Sequence, residues 1–264
     1  MTEKQTAIHA ATEAAKYFKQ HLGKISSLDI SNKSPFDFVT EIDKQCEQRI
    51  IEIISREFPE HEILAEETGA SVQKNSHRWI IDPLDGTTNF IHGLPHSAVS
   101  IAHEIDGSVV LGVVYDPYRD ELFFAEKGCG AYCNNARLHV SARNDLTQCL
   151  IATGFPFRNK HLLTSYWEAL SKIFLAVSGI RRTGSATLDL AYVAFGRFDG
   201  FWELRLSPWD IAAGHLIIKE AGGMISDFNG DQNHIREGNV VAGNACAHAF
   251  ILETVQSVFG DSRI

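Results

Sequence analysis

The chain has 264 residues, 44% of them hydrophobic and 22% charged, with 24 Lys plus Arg against 33 Asp plus Glu for a net charge of −9. These proportions exclude a disordered, collagen-like or disulfide-stapled scaffold, because folding at this length hides about 70–75% of the unfolded surface unaided. The acidic balance excludes a nucleic-acid binder that coats phosphates with Lys and Arg, so an anionic ligand needs a local cation or a helix N-terminus.

Residues 1–20 read as an amphipathic helix with Ile8, Ala11, Ala15, Phe18 and Leu22 on its buried face, spaced three and four apart. They lack the unbroken apolar stretch and cleavage site of a signal peptide, and no run reaches the roughly 18 apolar residues of a membrane span. A cytoplasmic location is expected. After a polar segment containing Lys33 and Pro35, a second helix is predicted from about Asp43 to Phe58. Its inward residues are Cys46, Ile50, Ile53 and Ile54, and Pro59 ends it.

Period two then takes over. Trp79-Ile80-Ile81 is a short strand that delivers Asp82. Ser97–Ile105 and Val109–Tyr115 flank Asp106-Gly107, a hairpin signal, and Glu121–Ala125 supplies another strand. Three tightly joined strands predict an antiparallel meander. Residues 161–176 read as helical, followed by a turn through Gly179. Gly184-Ser185 opens a helix that ends near Gly196, and Phe198–Trp202 reads as a strand. Ser207 at N-cap, Pro208 at N1 and Asp210 at N3 begin a helix running to Glu220 or Ala221, which Gly222-Gly223 can cap. Val240–Ala242 and a helix from about Ala245 close the chain. The expected class is layered α+β, one domain over 1–264 with approximate halves 1–145 and 146–264. The five cysteines (Cys46, Cys129, Cys133, Cys149, Cys246) form no Cys-x-x-Cys unit and read as buried free thiols.

The segment Asp82-Pro-Leu-Asp-Gly-Thr-Thr-Asn-Phe90 carries the chemistry. Two carboxylates, Asp82 and Asp85, lie beside Gly86-Thr87-Thr88 at the start of a short helix. That arrangement puts a cation site next to backbone N–H donors for an anion, with the Leu84 carbonyl as a further hard oxygen. An Asp-Pro-x-Asp-Gly run is also an ordinary Asx-turn, and Asp210 alone reads as a capping carboxylate.

Together, Glu66-Glu67-Thr68, Asp82–Phe90, Ser207-Pro-Trp-Asp-Ile-Ala-Ala-Gly214 and Glu220-Ala-Gly-Gly223 resemble the inositol monophosphatase family over nearly the whole chain, closest to its bacterial branch. The resemblance implies a layered αβαβα fold with largely antiparallel sheets. It also implies Mg²⁺-dependent hydrolysis of inositol-1-phosphate to myo-inositol and phosphate. The metal ligands it implies are Glu66, Asp82, the Leu84 carbonyl, Asp85 and Asp210, with Asp43 at a more weakly held outer position. Glu67 is not expected to be a primary ligand. Glu66, Thr87 and Asp85 are the expected catalytic residues, the first two around the attacking water. Asp85, Gly86, Thr87, Gly184, Ser185, Ala186, Glu203 and Asp210 are the expected substrate contacts. Mg²⁺ fits because it is hard, prefers oxygen and offsets the repulsion between a dianionic ester and several carboxylates.

Other residues are given plainer roles. Asp189 is assigned a structural one, Arg181-Arg182 a solvent or subunit-interface one, and Lys33 that of a solvated loop lysine. The twelve histidines, His92, His96, His103 and His215 among them, form no His-Glu-x-x-His array. No P-loop or dinucleotide fingerprint is present. Gly154-Phe-Pro-Phe157 matches the bacterial branch and departs from animal-type patterns. A homodimer and sensitivity to lithium are expected from the family, and the bacterial branch raises a protein partner in transcription or RNA processing. The competing readings are a broader sugar or nucleotide phosphatase and an interaction protein.

Overall fold

In this computed structural model residues 1–24, 30–34, 37–71 and 75–260 are described, with backbone alone at 30–34 and 37–39. Helix α1 (Glu3–Lys19) begins at a Thr2–Gln5 capping box. Its buried face is an alanine stripe, Ala7, Ala10, Ala11, Ala14 and Ala15, with Phe18. Ile8 and Leu22, expected inside, sit half-buried at the edge of that stripe. The small β1 (Ile30–Ser34) and β2 (Asp37–Thr40) pair antiparallel. Thr40 and Asp43 form the capping box that starts α2 (Glu41–Glu57). Cys46, Ile50 and Ile54 of α2 are buried, while Ile53 is half-buried.

A large sheet follows, made of β3 (Glu62–Ala65), β4 (Gly69–Ala70), β5 (His77–Asp85), β6 (Ala98–Ile105), β7 (Ser108–Asp116), β8 (Glu121–Glu126), β9 (Gly130–Cys133) and β10 (Ala136–Arg137). The short α3 (Thr87–Ile91) lies between β5 and β6. The strand order is β10-β9-β8-β7-β6-β5-β3-β4. The predicted meander is present, and its Asp106-Gly107 hairpin has both central residues at positive φ. One pairing departs from it: β3 runs parallel to β5.

The C-terminal elements are β11 (Leu150–Thr153), α4 (Leu163–Ala176), β12 (Gly179–Arg181), α5 (Ala186–Ala194), β13 (Gly200–Glu203), α6 (Pro208–Glu220), β14 (Met224–Ser226), α7 (His234–Glu237), β15 (Val240–Gly243) and α8 (Ala245–Phe259). Their five-stranded sheet has the order β12-β11-β13-β15-β14, with β11 parallel to both neighbours. Gly179, expected in a turn, therefore starts an edge strand. The connections that carry these parallel pairings contain whole helices, and no short-range signal marks them.

The layers run α1/α2, large sheet, α5/α6, small sheet, α4/α8. Alternate residues of β5 and β6 face opposite cores. Trp79, Ile81, Val99 and Ile101 pack under α1 and α2, whereas Ile80, Ala98 and Ala102 pack toward α5 and α6. Both faces of the large sheet are covered, so its strands are apolar on both sides. Every residue of α5 is buried, as a helix between two sheets requires. A third core, including Tyr166, Trp202 and Ile251, lies under α4 and α8. All five cysteines are unpaired; Cys46, Cys133 and Cys149 are buried as expected, but Cys129 is exposed and Cys246 half-exposed. Among the described residues no helix is long and apolar enough to cross a membrane.

Candidate active site

In a regular strand, residues three apart point to opposite faces, so Asp82 and Asp85 should diverge. They do not, because β5 carries a bulge: Asp82 pairs with Ser100 and Asp85 with Ala98, three steps on one strand against two on the other. Pro83, with no N–H for the ladder, sits at the irregularity. The extra residue resets the parity and turns both carboxylates the same way. Asp82 Oδ1 accepts the Leu84 N–H at 3.0 Å, so the local Asx-turn is real and coexists with the convergence.

Asp210 arrives from the other half of the chain. Its Oδ2 accepts the Ser207 N–H at 2.7 Å as the capping residue of α6. One carboxylate oxygen from each of Asp82, Asp85 and Asp210 lies within 4.8 Å of the others. Asp210 therefore caps α6 and at the same time joins the acidic cluster. Glu66 follows the end of β3, which the parallel pairing of Ala65 with Ile81 places beside Asp82. The buried Glu47 fixes the turn after it, accepting the Glu67 N–H at 2.7 Å and the Thr68 N–H at 2.9 Å. Glu67 takes part through its backbone N–H, and it does not line the cavity.

The carboxylates disturb one another. Burial first, then the charges of Glu66, Asp85 and Asp210, push Asp82 well above the usual carboxylate range. Burial, then Asp85 and Glu66, does the same to Asp210. Asp85 is raised by burial against the hydrogen bonds it accepts from Ser185 and Thr187. Such a cluster is strained without positive charge, and its donors are all hard oxygens, a set that suits Mg²⁺ or a similar cation.

Asp43, on the first turn of α2, is raised to about 6, mainly by burial. Its Oδ2 accepts the Thr40 N–H at 2.9 Å and its Oδ1 the Thr87 hydroxyl at 3.1 Å. Thr87 Oγ1 also lies 3.1 Å from the Leu84 carbonyl. Gly86 precedes it with φ 88°, and a Cβ there would meet the His96 carbonyl at 2.9 Å and the Gly184 carbonyl at 3.3 Å. Only glycine permits this turn and this approach of the two halves.

The cavity has a volume of about 190 Å³. Glu66, Asp82, Leu84, Asp85, Gly86, Thr87, Gly184, Ser185, Ala186, Glu203 and Asp210, all expected in the site, line it together. Glu203 ends β13, and burial, opposed by Arg182, raises it to about 8. A Cβ on Gly154 would lie 1.8 Å from Glu203 Oε1, so the absent side chain makes room for this acid.

Asp189 belongs to this wall and is fully buried, with its Oδ1 accepting the Thr183 hydroxyl at 2.7 Å. The sequence reading placed Arg182 in solvent or at a subunit interface, and the structure puts it at the cavity. Both arginines of the doublet are exposed, but only Arg182 lines the cavity, with its guanidinium 5.8 Å and 5.2 Å from the Phe155 and Phe157 ring centroids. The only available signal was the aromatic pair in Gly154-Phe-Pro-Phe157. The side chain of Lys33 lies outside the described residues.

The sheets, the αβαβα layering and the acidic cavity define a small-molecule hydrolase architecture, and the chain belongs to the inositol monophosphatase family, whose model matches residues 2–259. The chain is similar to Nus factor SuhB of Escherichia coli K12, 46% identical over 97% of this chain and 96% of that one. It is also 46% identical to inositol-1-monophosphatase of Mesorhizobium japonicum, over 94% of each chain. The crystal structure of the extragenic suppressor protein SuhB of Bartonella henselae matches with a TM-score of 0.93 and 42% identity, covering 100% of both chains.

Proposed function

We propose that the chain is a Mg²⁺-dependent phosphatase that hydrolyses inositol-1-phosphate to myo-inositol and inorganic phosphate. The observation that carries this reading is the convergence of Asp82, Asp85 and Asp210, beside Glu66, in a cavity sized for a small ester. Glu66, Asp82, Asp85, Asp210 and the Leu84 carbonyl hold the metal. When bound, Mg²⁺ supplies charge against the dianionic ester and acidifies the attacking water. Asp43, whose Oδ1 accepts the Thr87 hydroxyl, would hold a more weakly bound outer cation.

The protein's own groups orient the reaction. The Thr87 hydroxyl, fixed between Asp43 and Leu84, positions a water that Glu66 deprotonates. The water oxygen attacks phosphorus in line with the ester bond. That bond's electron pair leaves with the polyol oxygen, which takes a proton from solvent. The Gly86 and Thr87 N–H groups hold phosphate oxygens. Gly184, Ser185 and Ala186 flank the polyol, whose hydroxyls donate to Glu203. No Ser or Cys nucleophile is needed.

The test is a substrate panel with a Mg²⁺ titration. Inositol-1-phosphate should show the highest kcat/KM, with no turnover in chelator and with inhibition by lithium. A higher kcat/KM for a sugar bisphosphate or a nucleotide would replace the substrate and keep the reaction class. Metal-independent turnover would remove the mechanism.

In a second role the chain, as a cytoplasmic homodimer, engages a transcription or RNA-processing protein; the name Nus factor carried by relatives such as the Escherichia coli protein supports the partner. Recovery of the same partner by wild type and by Asp82→Asn would separate that role from catalysis. Loss of the partner in the variant would tie the two together.

A further inference from the structure

No sequence spacing connects His61, His77 and His103. They lie just before β3, at the start of β5 and within β6. The fold brings them together at the end of the large sheet remote from the carboxylates. His103 pairs with Trp79 across β5 and β6, and His77 lies two residues earlier on the same face of β5. One ring nitrogen of each histidine lies within 4.8 Å of the others. His77 Nδ1 and His103 Nε2 are 3.3 Å apart. Aromatic packing holds the group: the Trp79 indole stacks on His103 at 4.4 Å and donates to His61 Nδ1 at 3.1 Å, and Phe58 stacks on His61 at 4.9 Å.

We propose that His61, His77 and His103 form a second metal site, for Zn²⁺ or another borderline cation such as Cu²⁺ or Ni²⁺. Along β5 it lies about 10 Å from Asp82 at the level of His103 and about 17 Å at the level of His77. A tetrahedral ion with Zn–N bonds of about 2.0–2.1 Å keeps its nitrogens about 3.3–3.4 Å apart. His77 and His103 already have that separation. The third nitrogen closes by no more than about 1.5 Å, which side-chain rotation supplies. An all-imidazole donor set selects these ions and rejects Mg²⁺.

Coordination needs unprotonated nitrogens. His61 Nδ1 accepts the indole N–H and therefore carries no proton. Burial lowers His61 and takes His103 to about 4, so protons do not compete for those two rings at neutral pH. The Glu3 carboxylate is close enough to act electrostatically on both rings and favours a cation there. His61 and His77 are half-buried, which leaves a path from solvent and an open fourth position for water. The three rings lie at mutual angles of 9°, 19° and 24°. An ion must therefore turn at least one ring to meet its lone pair, and it displaces both the Trp79–His61 hydrogen bond and the proton shared between His77 and His103.

The experiment uses the full chain at saturating Mg²⁺, titrated with Zn²⁺ against a chromophoric chelator, in wild type and in Asp82→Asn to remove competition from the carboxylate centre. One Zn²⁺ per chain should remain in Asp82→Asn, raise Tm and shift the Trp79 indole N–H resonance. Combining Asp82→Asn with either His77→Gln or His61→Gln should weaken that equivalent at least about 100-fold and abolish both shifts. His77 is half-buried, so its variant should fold; if it does not, His61→Gln decides. No Zn²⁺ equivalent in Asp82→Asn, or one that both histidine variants retain at full affinity, overturns the site.

Discussion

Ser185 donates its hydroxyl to Asp85 Oδ2 at 2.6 Å, and the same oxygen accepts the Thr187 N–H at 2.8 Å. A carboxylate of the N-terminal half thus serves the first turn of a helix in the other half, where negative charge is favoured. Asp85 has its second oxygen left for the acidic cluster. Closing the interface between the halves and setting the direction of Asp85 are the same event.

Removing that hydroxyl tests the coupling. Ser185→Ala loses the bond to Asp85 and the cap on the Leu188 N–H. It should cost about 1–3 kcal/mol in urea unfolding and raise the Mg²⁺ concentration needed for half-maximal activity. Unchanged Mg²⁺ dependence would show that Asp85 is directed by something else.

Asp82→Asn should lower kcat/KM by at least about 100-fold and weaken Mg²⁺ binding. The repulsion within the cluster gives this substitution a second signature. In the metal-free protein, neutralising Asp82 removes a buried charge facing Glu66, Asp85 and Asp210, so Tm in chelator should rise. Full turnover at limiting Mg²⁺ would exclude Asp82 from the metal set.

Gly154→Ala puts a methyl 1.8 Å from Glu203 Oε1, and the carboxylate must move. The expected result is a higher KM for a polyol ester with Mg²⁺ affinity unchanged, because Glu203 lies on the leaving-group wall. Equal kinetics in the two proteins would place Glu203 outside the substrate's reach.

Stability should fall in acid through the pair of half-buried His215 and buried His234, whose Nδ1 and Nε2 atoms are 2.7 Å apart. Burial lowers His215 to about 3 and His234 to about 4. Both folded values lie below the unfolded value of about 6.5, so the contribution is complete above pH 6.5 and is lost as pH falls toward 4. Each ring accounts for up to about 2 kcal/mol between pH 7 and pH 5, less where the two protonations are coupled. Urea midpoints across that range should drop in wild type and drop less in His215→Gln. Identical pH profiles would mean that the pair titrates normally.

Much of this protein is legible in the chain alone. Period two marked the meander, Ser207-Pro208 marked the start of α6, and the resemblance carried by Asp82–Phe90 named the carboxylates now found around one cavity. These features depend on interactions among residues close in sequence, so short stretches encode them. Whether Asp82 and Asp85 face the same way was not encoded so locally; a bulge against β6 decided it. Arg182 enters the cavity wall with Phe155 and Phe157, and three histidines without common spacing meet at the far end of the sheet. Parallel pairing was likewise invisible: β11 is joined to its partners through helices, and β3 reaches β5 past the intervening strand β4. The sequence by itself determined which residues can bind cations and where helices start. Tertiary structure decided which of those residues meet, since strand register and packing between two sheets bring together groups that local energetics cannot relate.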